Sequence, residues 1–208
     1  MKTKPRILPR IYFNRPTLTV ARSLIGKYLV RAIDGRIFAG KIVEVEAYVG
    51  PEDKACHASK GRTQRTDVMF GPGGVAYVYL IYGMYWCFNA VTRERGHGAA
   101  VLVRAVHPLD GAEHMRRRRP KAKHDRELTN GPGKLCLAMG IVGAMSGTSL
   151  RNGPVVIRAG TALADAEVVV TPRIGITQAA EWPLRYFVRD DPFVSATPRA
   201  FVRTPYAP

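Results

Sequence analysis

The stretch YVYLIYGMYWCFN, residues 77–89, reads as two aromatic-rich apolar strands joined by Tyr82-Gly83-Met84. Tyr, Val, Ile, Trp and Phe favour a pleated sheet, and a glycine in a three-residue connection marks a hairpin. Such a turn holds a bulky side chain at its tip. On a basic chain, that tip reads as a wedge for opening a duplex.

Working outward from this hairpin, residues 37–48 form a return strand after a turn at Asp34-Gly35, with residues 28–32 as its partner. Its period of two puts Val43, Val45 and Ala47 on a core face, and Glu44, Glu46 and Tyr48 on a polar one. Further strands are expected at 75–81, 85–92, 99–106, 155–158, 167–171 and 184–188. Leu18, Ala21, Leu24 and Ile25 follow helical spacing up to Gly26; further helices are expected near 111–118 and 134–139, the last stopped by Gly140. The pattern predicts an α+β fold: one domain over residues 1–208, a mostly antiparallel curved β-sheet with flanking helices and the protruding hairpin. Residues 1–16, basic and proline-rich, are expected as a loosely held arm.

The 208 residues suffice for one core, and 46% hydrophobic content argues a globular chain. Thirty-two Lys and Arg against 16 Asp and Glu give a formal charge of +16, which points to a polyanionic partner, nucleic acid foremost. No apolar run is long enough to span a bilayer, and the N-terminus lacks the apolar core of a signal peptide. The expectation is an intracellular protein, cytoplasmic in a prokaryote or nuclear in a eukaryote, and not secreted. Cys56, Cys87 and Cys136 read as reduced, buried residues with neither a disulfide nor a zinc site. The run RRRRPKAKHDR, residues 116–126, has the form of a solvated helix end and loop that adds salt-sensitive attraction for phosphates.

The segments EVEAYVGPEDKACH from Glu44, GRTQRTDVMFGPGG from Gly61 and YVYLIYGMYWCFN resemble the alkyladenine (3-methyladenine) DNA glycosylase family. The likeness continues in VLVRAVHPLDG from Val101, LTNGPGKLCLAMGI from Leu128 and RIGITQAAEWPLRYFVRDDPFVS from Arg173, covering residues 13–195. It implies a base-excision repair enzyme that flips a damaged purine out of double-stranded DNA and hydrolyses its N-glycosidic bond. Extrusion of a stacked base costs a few kcal/mol.

By this resemblance Tyr82 matches the intercalating tyrosine, Tyr48 and Tyr79 the rings that enclose the flipped base, and His57 the residue at its edge. Asn89 matches the residue that crowds the 2-amino group of normal guanine. Glu46 matches the general base, Arg104 an arginine that holds the attacking water, and the carbonyl of Ile176 its third contact. Met84 and Tyr85 beside the wedge, Arg62 and Met69 in the loop after His57, and Lys134 at a helix start are candidates for DNA contact. The family implies no strand cleavage; no residues have the spacing of a metal-water site, so neither a metal nor a cofactor is expected, and an enzyme of this size is expected to act as a monomer.

Gln64 stands where a proline is usual in the family, and Trp86 is large for its position. Three other classes share the basic charge: a non-catalytic binding module using the aromatics as stacking platforms has no need of Glu46 and Arg104, Glu44 and Glu46 make a poor metal cluster for a nuclease, and charge alone does not separate an RNA-modifying enzyme from the reading above.

Overall fold

A computed structural model describes residues 5–197. Eight strands, β1 (Tyr28–Ile33), β2 (Arg36–Tyr48), β3 (Ala76–Ile81), β4 (Tyr85–Thr92), β5 (Ala99–Asp110), β6 (Val155–Arg158), β7 (Val168–Thr171) and β8 (Arg185–Val188), form one antiparallel curved sheet. Four helices flank it: α1 (Arg10–Phe13), α2 (Thr17–Leu24), α3 (Ala112–Arg118) and α4 (Pro132–Met139). The α+β architecture matches the expectation from periodicity.

The sheet runs β3-β4-β5-β2-β1-β6, and β8 pairs with both β2 and β7. β2 is therefore the central rail. Its first half pairs with β1 through the Asp34-Gly35 turn, where both residues have positive φ as a two-residue type I′ hairpin requires. Farther along, Glu44, Val45 and Glu46 pair with β8 on that edge, while β5 lines the other edge. Gly40 lets β5 come close, since a Cβ there would lie 2.6 Å from the Val106 side chain.

The simple alternation in β2 fails at one residue. A bulge falls between Ile42 and Glu44, so Val43 is the extra residue and turns away from the main core to meet Ala105 and Phe193. Ile42, Val45 and Ala47 are the ones that enter the core. On either side of the bulge, alternate residues of β3, β4 and β5 such as Val78, Phe88, Ala90, Val101 and Val103 join them. The opposite alternation, Tyr77, Tyr79, Cys87, Asn89, Ala100, Leu102 and Arg104, lines a cavity.

Two other expectations change. In α2 the buried residues are Thr17, Val20, Ala21 and Leu24, whereas Leu18 is exposed. The segment expected as a loose arm is held from Pro5 onward: the Leu8 N–H donates to the Ile157 carbonyl, Ala159 N–H donates to the Arg6 carbonyl, and Leu8 and Phe13 are buried. Its first four residues lie outside the described residues. All three cysteines are free and buried, and burial pushes the Cys56 thiol up to about 11.

Candidate active site

The cavity, about 380 Å³, has one face of the sheet as its floor. Its walls are Tyr48, the loop carrying Ala55, His57 and Arg65, and the segment Ile174 to Ile176 between β7 and β8. Tyr82 stands at the rim.

Behind this surface lies Glu46, fully buried. Its Oε1 accepts from the Ile174 N–H at 2.8 Å and lies 3.2 Å from Nη1 of Arg104; its Oε2 accepts from the Tyr48 hydroxyl at 3.0 Å. A carboxylate has about four acceptor sites, so the spare capacity sits on Oε2. Burial and the neighbouring Glu46 charge push the Tyr48 phenol well above its ordinary value, which keeps it a donor.

Glu44, also fully buried, does different work. It accepts from Arg104 Nε, Arg185 Nε, the Ser195 N–H and the Ser195 hydroxyl, at 2.7 to 2.9 Å. Burial pushes this carboxyl up, but Arg104, Arg185 and Ser195 outweigh it and hold it below the usual carboxylate range. Glu44 is thus a saturated structural anion, and Arg104 bridges it to Glu46. Burial opposes the Arg104 charge; Glu46 and Glu44 more than compensate, so it stays protonated.

A second buried ion pair went unnoticed in the sequence. Arg173 reaches Asp53 with both terminal nitrogens, Nη2 to Oδ1 at 2.8 Å, and Nη1 also donates to the Ala47 carbonyl at 3.0 Å. Its guanidinium lies 4.7 Å from the centroid of the Tyr48 ring. The pair braces Tyr48 from behind and fixes the chain entering Ile174, whose N–H holds Glu46. Asp53 lies in PEDK between Glu52 and Lys54, and Arg173 in RIGI; no local pattern singles out Asp53 or links the two.

On the opposite wall, the His57 and Tyr79 rings meet edge to face with centroids 4.6 Å apart, and His57 Nδ1 lies 3.0 Å from the Tyr77 hydroxyl. Burial, with Arg65 and Lys60 adding to it, lowers His57 to about 4, so the imidazole is neutral at pH 7. Asn89 is buried on the floor with its amide nitrogen donating to the Tyr77 carbonyl, leaving its oxygen as the polar atom not so engaged.

The hairpin tip is as exposed as the sequence suggested: Tyr82 79% and Met84 64%, with Tyr85 also exposed. Tyr82 has φ 53°, a conformation that non-glycine residues rarely take. Tyr85 rests against the first turn of α4, where a Cβ on Gly133 would come within 3.0 Å of it. Lys134, in the same turn, bonds Asn130 at 2.8 Å. The large Trp86 is accommodated because Gly143 has no side chain: a Cβ there would stand 2.4 Å from the indole.

Of the remaining candidates, Ile176 lines the cavity, while the contact with Glu46 comes from Ile174, two residues earlier. Met69 is buried and lines the cavity as well. Arg62 is exposed and paired with Asp67 at 2.6 Å.

Residues 11–192 match the family model described as methylpurine-DNA glycosylase. A protein of Methanocella arvoryzae, provisionally named a 3-methyladenine DNA glycosylase, is 50% identical over 193 residues, covering 91% of this chain and 96% of its own. Proteins of Myxococcus xanthus and Legionella pneumophila with the same provisional name are 47% identical over 201 residues (95% and 98% covered) and 44% identical over 195 residues (92% and 100% covered). The chain belongs to the methylpurine-DNA glycosylase family.

Proposed function

We propose that this DNA glycosylase extrudes damaged purines from duplex DNA and hydrolyses their N-glycosidic bond with a water activated by Glu46. Its substrates are purines alkylated at N3 or N7, together with hypoxanthine and etheno lesions. The observation that carries the reading is the environment of Glu46: a buried carboxylate held by Tyr48, Ile174 and Arg104, all three of which line the aromatic cavity.

A base inside the stack is out of reach of water or carboxylate, so it must leave the duplex. Tyr82 fills the gap it leaves. The base enters between Tyr48 on one side and Tyr79 with His57 on the other, and electron-rich rings favour a cationic purine by about 0.5–2 kcal/mol. Asn89, held from below, crowds the 2-amino group of guanine. The attacking water bonds Oε2 of Glu46, which gives up part of its contact with Tyr48 and takes the proton as C1′ is attacked. Arg104 and the Ile176 carbonyl hold that water.

No lysine among the described residues lines the cavity, and strand cleavage through a Schiff base needs an amine; the reading is a monofunctional enzyme acting as a monomer. Duplexes carrying one 7-methylguanine, 3-methyladenine or hypoxanthine are incubated with purified protein in EDTA. Free base and an intact abasic strand are expected. Absence of release from all three overturns the proposal, and a borohydride-trapped adduct overturns its monofunctional part.

A further inference from the structure

We infer that a second, basic cavity beside the base cavity binds phosphodiesters of the lesion-bearing strand, and that it contributes more to the electrostatic hold on DNA than the four arginines at 116–119. This rests on the duplex-DNA reading above. The second cavity has a volume of about 370 Å³ and shares His57, Arg65 and Ile176 with the first. Three cations line it, Lys54, Lys60 and Arg65, and among the described residues no acid does.

Two of these charges, Lys54 and Lys60, are not spent inside the protein, whereas the Arg65 guanidinium lies 5.2 Å from the centroid of the Tyr79 ring. Lys54, Lys60 and Arg65 are exposed, and none forms an ion pair among the described residues. Asp53, next to Lys54 in the chain, is buried and committed to Arg173. The field of Arg65 and Lys60 reaches His57, where it adds to burial in disfavouring the imidazolium. A strand whose nucleotide is extruded into the first cavity must carry its flanking phosphates past the mouth, and the adjoining cavity offers them uncompensated cations.

The arginine run is built differently. Arg116 pairs with Asp125 and Arg117 with Glu113, the Arg118 guanidinium lies 4.9 Å from the Phe38 ring centroid, and Arg119 donates to the Glu127 carbonyl at 3.2 Å. Four consecutive arginines are engaged within the protein before any phosphate arrives.

The test is the salt dependence of binding, by fluorescence anisotropy, to hypoxanthine-containing and undamaged duplexes. A Lys54→Gln/Lys60→Gln double variant should make the slope of log affinity against log salt shallower by about 2, close to one per lost phosphate contact. Arg116→Gln/Arg117→Gln should change it by well under 1. An unchanged slope for the lysine pair, or a larger loss for the arginine pair, overturns the inference. Inorganic phosphate is titrated in parallel: displacement of duplex no stronger than by sodium chloride at equal ionic strength supports a strand site. Stronger displacement that the lysine variant abolishes assigns the cavity to free phosphate and also overturns it. Base release by the unmodified enzyme with an unchanged slope sinks this inference alone, whereas a shallower slope with no base release sinks the catalytic reading alone.

Discussion

The hydroxyl of Tyr48 donates to Oε2 of Glu46 at 3.0 Å, two residues back along the same strand. One side chain therefore serves as both a wall of the aromatic cavity and the partner of the carboxylate behind it. Glu46→Gln keeps the size of the group but removes the proton acceptor. Single-turnover base release should fall by about 10²–10⁴-fold, the range for loss of a general base. Affinity for a lesion duplex should stay within a few-fold. Loss of binding in step with activity would count against the assignment.

Tyr82 holds an exposed ring in a left-handed turn, and among the described residues no hydrogen bond or ion pair of its side chain accounts for it. Tyr82→Ser removes the ring that would stack in the vacated gap, an interaction worth about 1–3 kcal/mol for aromatic contacts with bases. Affinity for a duplex with an abasic site should drop roughly tenfold or more, with the thermal midpoint little changed. Equal binding by the variant would remove the wedge role.

Trp86 and Gly143 form a size-matched pair, because the indole occupies the space a side chain at 143 would need. Gly143→Ala should destabilise the fold by about 1–3 kcal/mol through overpacking. Combined with Trp86→Phe, the cost should be smaller than the sum of the two single changes. Additive effects in a denaturant double-mutant cycle would show that the two do not interact.

Asp53 and Arg173 are both fully or almost fully buried. Asp53→Asn leaves a cation without its counter-charge, which costs about 3–5 kcal/mol. For a domain of this size that lowers the melting temperature by roughly 10 °C. Base release should weaken too, since Arg173 braces Tyr48 and the segment whose N–H holds Glu46. A variant with unchanged melting temperature would contradict the buried pair.

His57 is lowered from 6.5 to about 4, first by burial and then by Arg65 and Lys60. Between these values the unfolded chain binds the proton and the folded one does not, so stability rises with pH across that window. The contribution is present above about 6.5 and is lost as pH falls toward 4. His57→Gln should flatten this part of the profile of melting temperature against pH. A profile as steep as the parent's between pH 4 and 6.5 would show that His57 is not its source.

Much of the architecture was legible locally. Alternation in YVYLIYGMYWCFN separates Tyr77, Tyr79, Cys87 and Asn89 on the cavity face from Val78, Phe88 and Ala90 in the core, and the tip residues Tyr82 and Met84 stand exposed. These features need only the pleat and a turn, both set within a few residues. The bulge at Val43 escaped because an extra residue leaves no mark in an apolar run. It takes a partner strand to show that two residues oppose one.

Sequence alone determined the order of strands and turns, the positive charge and the aromatic hairpin, since each depends on neighbours in the chain. Tertiary structure alone decided which carboxylate became a saturated anion and which kept a free lone pair. Glu44 and Glu46 are equivalent by strand period, but β8 and the segment after it bring Arg185 and Ser195 to the first, across 141 and 151 residues of chain. Arg173 finds Asp53 over 120 residues. Charge pairing at such separations follows from the way the sheet branches at β2, and no local pattern encodes it.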